Sequence, residues 1–371
     1  MSGKRSRLFE RIALLGTGLM GGSLGMAIRE CTLATEVVGY DRDPEVLTTA
    51  LERGAVDRAV GSPREAVVGA ELVVLAVPIR FCRQLVESCT AHFSSGTVVT
   101  DLGSTKQFLA EELRGILPRG VIYVGGHPMT GSEESGIEAA DPALLENAIY
   151  VLTPDEGQSQ KEWGRMVDLI EGIGAQPLVI SPAEHDQLVA LVSHLPHLAA
   201  VALVEVAAEE GKEEMVQTLA AGGFRDTTRI AMGNPEIWRD IFATNREAID
   251  IFLGRYLHEL EEVRRMITGG QEDKITATLE RARSFRRKIP FRSRGIFPDL
   301  FDIIVLVKDT PGTIGRIASL VGGAGFNIAE VEILHVREEE GGSIRFGFRQ
   351  KEQRDGALAV LKERGYRVHR R

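Results

Sequence analysis

Cysteine is scarce in this chain: Cys31, Cys82 and Cys89 are the only three among 371 residues. Three scattered thiols build neither a disulfide framework nor a zinc site, so no metal is expected, and they read as small apolar residues in a reducing compartment. Long hydrophobic runs are missing as well. The longest uninterrupted one, Leu72 to Ile79, falls far short of the roughly 20 residues that span a bilayer. The basic start, Met-Ser-Gly-Lys-Arg-Ser-Arg, leads into an apolar stretch broken at Gly16, Gly18, Gly21 and Gly22, which is not the core of a signal peptide. A soluble, cytoplasmic protein with no membrane partner is the expectation. Positive charge is also in deficit, with 44 Lys plus Arg against 53 Asp plus Glu and a net charge of −9. Phosphate backbones need a basic face, so nucleic acid is not an expected partner. Small anionic substrates remain open, because they need only a few local cations.

What is present is ordinary globular composition, 43% hydrophobic and 26% charged, in a length that predicts two or three domains. Ile12 to Leu15, Val37 to Tyr40, Leu72 to Val77, Val98 to Asp101 and Val121 to Val124 are short, β-branched-rich runs bounded by Gly, Pro or Asp. Such runs mark strands buried on both faces, and helical stretches such as Leu19 to Glu30 and Pro44 to Arg53 separate them. The alternation predicts an α/β fold, a doubly wound parallel sheet extended by Ala148 to Thr153 and Gln176 to Ile180. After Ser181-Pro182, an N-cap followed by an N1 proline, the pattern becomes helical over Pro182 to Glu210, Pro235 to Met266 and Glu272 to Lys288. Beyond a Pro-, Arg- and Gly-containing linker, Phe301 to Val307, Asn327 to Val336, Ser343 to Gln350 and Tyr366 to His369 read as strands. With helices at Thr313 to Gly323 and Glu352 to Arg364 they make a βαββαβ, ferredoxin-like unit. The expected domains are therefore 8–181, 182–290 and 299–371. The basic stretch Arg281 to Lys288 suits a solvated helix C-terminus, where cations complement the dipole.

The first strand runs into Gly16-Thr17-Gly18-Leu19-Met20-Gly21, which opens a helix. Gly-x-Gly-x-x-Gly alone is a weak signal. Here a strand precedes it, a helix follows, and Asp41 stands at the end of the second strand about 20 residues on, as a dinucleotide site requires. Gly16 would permit the tight turn, Gly18 the close approach of a pyrophosphate and Gly21 close helix–strand packing. The Asp41 carboxylate would accept from a ribose 2′-hydroxyl and repel a 2′-phosphate, which favours NAD. Arg42 keeps NADP as the alternative.

Further along come Asp101-Leu102-Gly103-Ser104-Thr105-Lys106, Gly125-Gly126-His127-Pro128-Met129-Thr130-Gly131-Ser132-Glu133, Ser193-His194-Leu195-Pro196-His197 and Gly222-Gly223-Phe224-Arg225-Asp226-Thr227-Thr228-Arg229, with Trp238 beyond. In that order, and with the glycine turn, they resemble the prephenate/arogenate dehydrogenase family of tyrosine biosynthesis from about Arg11 to Lys288. The last segment resembles an ACT domain, through Asp309-Thr310-Pro311-Gly312 and Gly325-Phe326-Asn327-Ile328. The resemblance implies NAD-dependent oxidation of prephenate at its C4 hydroxyl, loss of the ring carboxylate as carbon dioxide, and 4-hydroxyphenylpyruvate as product. It also implies a homodimer formed by the helical domain and feedback through the ACT domain by an amino acid such as tyrosine. A dimerisation module without an effector is the other reading of that last domain. The rival activities are arogenate dehydrogenase, another hydroxyacid dehydrogenase of the same plan, and a sensor whose dinucleotide domain is non-catalytic.

The chemistry needs a base that titrates near neutrality, and His127, on the loop after a parallel strand, suits it. By the resemblance His127 draws the proton from the C4 hydroxyl, while Ser104 orients that hydroxyl or His127. Arg229 is the candidate for the ring carboxylate, since a guanidinium fork binds a carboxylate bidentately. The resemblance places Glu133 and Asp186 beside Arg229 as an ionic network that gates it; Asp186 equally suits the first turn of a helix. His194 and His197, three residues apart on one helix face, belong by the resemblance to the substrate pocket, with His197 near the pyruvyl end. Arg225, facing the substrate tail, would disfavour the ammonium of arogenate. Ser132 and Thr130 position the pocket loop. Lys106 is either a cation on the nicotinamide side or a helix-start lysine. Trp238 either reaches a neighbouring subunit's site or fills the core.

Overall fold

In β1 (Phe9–Leu15) the last four side chains, Ile12 to Leu15, are all buried. Successive side chains of a strand point to opposite sides, so such a run needs cover on both faces. The computed structural model supplies it. The residues it describes are 7–131, 134–209, 211, 213–289, 300–307, 310–337 and 341–370, in two units divided between Arg283 and Ser284.

In the first unit β1 is followed by α1 (Leu19–Glu30), β2 (Ala34–Tyr40), α2 (Pro44–Glu52), β3 (Arg58–Ala59), α3 (Pro63–Val67), β4 (Leu72–Leu75), α4 (Ile79–Cys89), β5 (Val98–Asp101), α5 (Gln107–Arg114), β6 (Ile122–Pro128), β7 (Ile149–Pro154), α6 (Gln160–Gly172) and β8 (Gln176–Val179). The strands form one sheet in the order β3-β2-β1-β4-β5-β6-β7-β8. Ile12, Leu14, Leu72 and Val74 pack with Leu24 and Ile28 of α1 and Leu169 and Ile170 of α6. Their neighbours Ala13, Leu15, Val73 and Leu75 face Val67, Val86 and Leu109 of α3, α4 and α5 on the other side. Each fully buried Leu or Val contributes about 1.5–3 kcal/mol, so the two-sided pattern commits this segment to the centre of the sheet.

One pairing departs from the expected parallel sheet: β6 and β7 are antiparallel. Among the described residues between them stand two single-turn 3₁₀ segments, Ile137–Ala139 and Pro142–Leu144, and no crossover helix. Without that crossover the chain returns beside β6 in the opposite sense.

The helical part of this unit begins as its sequence announces. Ser181 accepts the Glu184 N–H and Pro182 stands at the first position of α7 (Pro182–Val189). A π turn at Ala190–His194 joins α7 to α8 (Leu195–Glu209). The resulting 28-residue run, Pro182–Glu209, has a mean hydropathy of 1.7 in its most apolar window, long and apolar enough to cross a membrane by those criteria. Unbroken apolar runs do not reveal it, because His185, Asp186, His194 and His197 interrupt it, and all four are buried. Then follow α9 (Glu213–Leu219), α10 (Gly222–Thr228), a 3₁₀ turn Arg229–Met232, α11 (Pro235–Thr244), α12 (Arg246–Thr268) and α13 (Glu272–Lys288), whose last turn falls past the division at Arg283. The single helix expected over Pro235 to Met266 is broken at Asn245, whose φ of −124° and ψ of 32° leave the helical region.

The second unit orders β9 (Phe301–Val307), α14 (Thr313–Gly323), β10 (Glu330–Arg337), β11 (Gly341–Phe348), α15 (Lys351–Glu363) and β12 (Arg367–Arg370). Its antiparallel sheet runs β10-β11-β9-β12. Ile303, Val305, Ile344, Phe346 and Phe348 pack against Ile317, Val321, Ala357 and Leu361 of the two helices. Arg345, between these core residues on β11, donates to Asp302, Glu330 and Glu332 at 2.9, 2.7 and 2.8 Å. Asp309 of the Asp-Thr-Pro-Gly turn lies outside the described residues.

Candidate active site

The glycine turn carries its functions in its backbone. Gly16 has a φ of +98°, and a Cβ there would lie 2.3 Å from the Ala76 carbonyl oxygen. Gly21 abuts the Gly16 carbonyl oxygen, 2.2 Å from where its own Cβ would be. Gly18 is different: a Cβ there would meet nothing within 4 Å, so the space over it is open. Gly18 is also the N-cap of α1, with no side chain capping it and no acid in the first turn. The N–H groups of Leu19, Met20 and Gly21 thus begin a helix whose positive end is available to an anion. The buried Thr17 donates its N–H to Asp41 Oδ2 at 2.8 Å, and Asp43 donates to Asp41 Oδ1 at 3.1 Å. Asp41 is therefore fixed at the tip of β2 beside the turn. An open glycine, a bare helix N-terminus and an anchored carboxylate fit a dinucleotide: pyrophosphate at Gly18, ribose at Asp41.

At the carboxyl end of β6, on the same sheet edge, His127 is half-buried. Its Nδ1 lies 2.8 Å from Nε2 of His185, whose Nδ1 lies 2.7 Å from Asp186 Oδ1. Asp186 in turn accepts the Lys106 N–H on Oδ1 at 2.8 Å and the Gln107 N–H on Oδ2 at 2.9 Å, closing the start of α5. The Asp186 carboxylate thus serves His185 and two backbone amides. Burial, and after it His185, Lys106 and His194 nearby, hold the His127 imidazole well below the usual histidine range, so it is neutral at pH 7.

Lys106 is fully buried, which neither expected reading anticipated. Its ammonium pairs with Asp101 Oδ2 and donates to the Gly126 carbonyl at 2.7 Å. Asp101 also accepts from Gly103 N–H at 2.8 Å, Tyr123 Oη at 2.7 Å and Gly126 N–H at 3.2 Å. The strand residue before His127 is thus clamped from both its N–H and its carbonyl.

The histidine pair of α7–α8 lies alongside. His197 stacks on Trp238 of α11 with ring centres 3.5 Å apart, and His194 meets the same indole edge-on at 6.1 Å. Both His197 ring nitrogens are buried, with no hydrogen-bond partner among the described residues. Burial pushes His197 down as well. Asn245, at the helix break, donates to the Asp186 carbonyl at 2.8 Å and reaches His194 Nδ1 at 3.2 Å. Burial takes His194 down to about 4, against the pull of Asp186. Trp238 therefore packs within its own chain, on the two histidines.

Other expected residues stand apart or are not placed. Ser104 is half-buried in the loop between β5 and α5. Arg225, on α10, and Arg229, which opens the following 3₁₀ turn, are exposed, and Arg225 takes no part in the network around His127. Thr130 turns the chain after β6 through its N–H to Pro128. Ser132 and Glu133 lie outside the described residues. His185 and Asn245 carry much of the site and were not singled out from sequence. The His185-Asp186 pair in the first turns of α7 was the available signal.

Comparison with known proteins identifies the family. The family model described as "Prephenate dehydrogenase, nucleotide-binding domain" matches residues 24–179, and "Prephenate dehydrogenase, dimerization domain" matches residues 181–281. The chain is 32% identical over 362 residues to prephenate dehydrogenase of Bacillus subtilis, covering 97% of each. It is 33% identical over 362 residues to that of Lactococcus lactis, covering 95% of this chain and 98% of the relative. The crystal structure of A. aeolicus prephenate dehydrogenase in complex with hydroxyphenyl propionate and NAD+ is similar at a TM-score of 0.71 and 30% identity, over 76% of this chain and 98% of that one. Synechocystis arogenate dehydrogenase is similar at a TM-score of 0.67 and 31% identity, over 75% and 99%. Its sheet, its glycine turn and near-complete coverage by these relatives agree: the chain belongs to the prephenate dehydrogenase family.

Proposed function

We propose that this chain is a prephenate dehydrogenase in which His127 takes the C4 hydroxyl proton of prephenate. The observation that carries the assignment is a neutral His127, held by His185 on the sheet edge where the glycine turn would hold NAD. The glycine turn and Asp41 would hold NAD, which would supply the hydride acceptor for C4. The chain's own part is to bind, orient and deprotonate. His127 removes the proton as the carbonyl forms, and the dienone then loses its ring carboxylate because aromaticity is gained. Ser104, on the adjacent loop, orients the hydroxyl, and Arg229 serves the ring carboxylate. His197, stacked on Trp238, serves the pyruvyl end, with His194 beside it. NADH absorbance with prephenate, with arogenate and with neither substrate tests the assignment; turnover of prephenate supports it, and turnover of arogenate alone overturns it.

A preference for arogenate is the second reading, favoured by the similarity to the Synechocystis enzyme. Arg225 would repel the ammonium of arogenate, and Arg225→Gln should then narrow the selectivity between the two substrates. The uncovered apolar side chains of the Pro182–Glu209 run, Leu188, Leu191, Val192, Leu203 and Val206, support a homodimer through this segment. The βαββαβ order and the 4-1-3-2 arrangement of the second unit support a ferredoxin-like ACT domain, for which an amino acid such as tyrosine is the effector the family resemblance suggests. Calorimetry with tyrosine, alongside the NADH assay, tests that role.

A further inference from the structure

The hydrogen-bond roles from Asp186 to His127 can be assigned in sequence. Ionised, the Asp186 carboxylate only accepts, and it already takes two backbone N–H groups. His185 Nδ1, 2.7 Å from Asp186 Oδ1, is therefore the protonated nitrogen of its ring. Nε2 of a neutral His185 then carries a lone pair. His127 Nδ1, 2.8 Å from that nitrogen, must be the donor, so the basic nitrogen of His127 is Nε2.

We infer that His185 is a positioning residue for the reaction: acting through His127, it fixes the Nδ1–H tautomer and leaves Nε2 to receive the substrate proton. The inference rests on His127 being the proton acceptor. When the substrate O–H bond breaks, the proton forms an N–H bond at Nε2, and the imidazolium so made faces His185 and, behind it, the Asp186 carboxylate. The other groups around His127 are weakly cationic or compensated. Lys106, from the loop before α5, is paired with Asp101 of β5, and His194, from the π turn, is neutral. The negative end of the chain therefore lies on the His185 side. A base–imidazole–carboxylate order of this kind holds a ring in one tautomer and stabilises it once charged. His185 is itself 1% exposed, so its ring has little room to turn.

The test compares His185→Leu, which removes both hydrogen bonds, with His185→Gln, which can still accept from His127 and donate to Asp186. His185→Leu should lower kcat by about 10²–10³-fold while KM for prephenate and Kd for NAD change by less than about threefold. His185→Gln should recover about tenfold or more of that loss. If His185→Leu keeps wild-type kcat while His127→Gln abolishes turnover, the positioning role is overturned and the assignment of the base stands. If His127→Gln retains turnover, the base itself is wrongly assigned. Should His185→Leu fail to bind NAD through misfolding, nitrogen-15 spectra of the unmodified enzyme decide, with His127 assigned through His127→Gln. A protonated Nδ1 on His127 supports the inference, and a protonated Nε2 in the resting enzyme overturns it.

Discussion

Asn245 Nδ2 donates to the main-chain carbonyl of Asp186 at 2.8 Å, tying the break between α11 and α12 to the head of α7. The same amide nitrogen reaches His194 Nδ1 at 3.2 Å, so one side chain orients two segments of the site. Asn245→Ala should cost about 1–3 kcal/mol by leaving the buried His194 ring nitrogen without a donor and the Asp186 carbonyl with the Ala190 N–H alone. Urea unfolding measures that loss. Prephenate kinetics should show a raised KM with NAD affinity unchanged, because the glycine turn is untouched.

Lys106 and Asp101 form an ion pair at 0% and 1% side-chain exposure. Removing one partner strands the other charge, so Lys106→Met should destabilise the fold by about 3–5 kcal/mol. The double variant Lys106→Met/Asp101→Asn, which removes both charges, should unfold at a higher urea concentration than Lys106→Met. A double variant no more stable than the single one would show that the lysine acts by packing rather than by charge.

The two glycines of the turn should fail in different ways. Gly16→Ala places a methyl 2.3 Å from the Ala76 oxygen at a φ that L residues avoid, so it should lower the melting temperature of the free protein. Gly18→Ala meets nothing within 4 Å and should leave stability unchanged. It should weaken NAD binding, read by fluorescence titration, because the methyl occupies the space left for the pyrophosphate.

Acid should destabilise the protein before most carboxylates titrate. His194 is held down to about 4 in the fold, against roughly 6.5 when unfolded. Between those values the unfolded chain binds more protons, so stability is full above about pH 6.5 and falls as pH drops toward 4. The contribution of His194 is at most about 3 kcal/mol. Denaturation midpoints at pH 7 and pH 5 should differ, and His194→Asn should shrink the difference.

Local patterns announced most of the framework because local physics determines it. Two-sided apolar runs such as Ile12 to Leu15 can only be central strands, and Ser181-Pro182 can cap a helix without help from distant residues. The turn from Gly16 to Gly21 and its partner Asp41 were legible because their spacing is a property of one βαβ unit. The antiparallel return of β7 was not legible, since it depends on what the segment before it fails to form. Nor was the role of His185, an unexceptional helix histidine until the fold brings β6 within 2.8 Å of it. Lys106 was ambiguous for the same reason: its carboxylate partner is five residues away, but its burial comes from the whole sheet.

The π turn at Ala190–His194 gives the long helix two phases. Upstream of it the face carrying His185 and Asp186 looks toward β6 and α5; downstream, the face carrying His197 looks toward Trp238. Each residue of an α-helix advances the azimuth by about 100°. Excising a single residue within the turn would restore one continuous phase and swing everything beyond it by that angle, carrying His197 off the indole while leaving the length and hydropathy of the helix almost unaltered. Sequence alignments within this stretch should accordingly tolerate substitution far better than a one-residue gap.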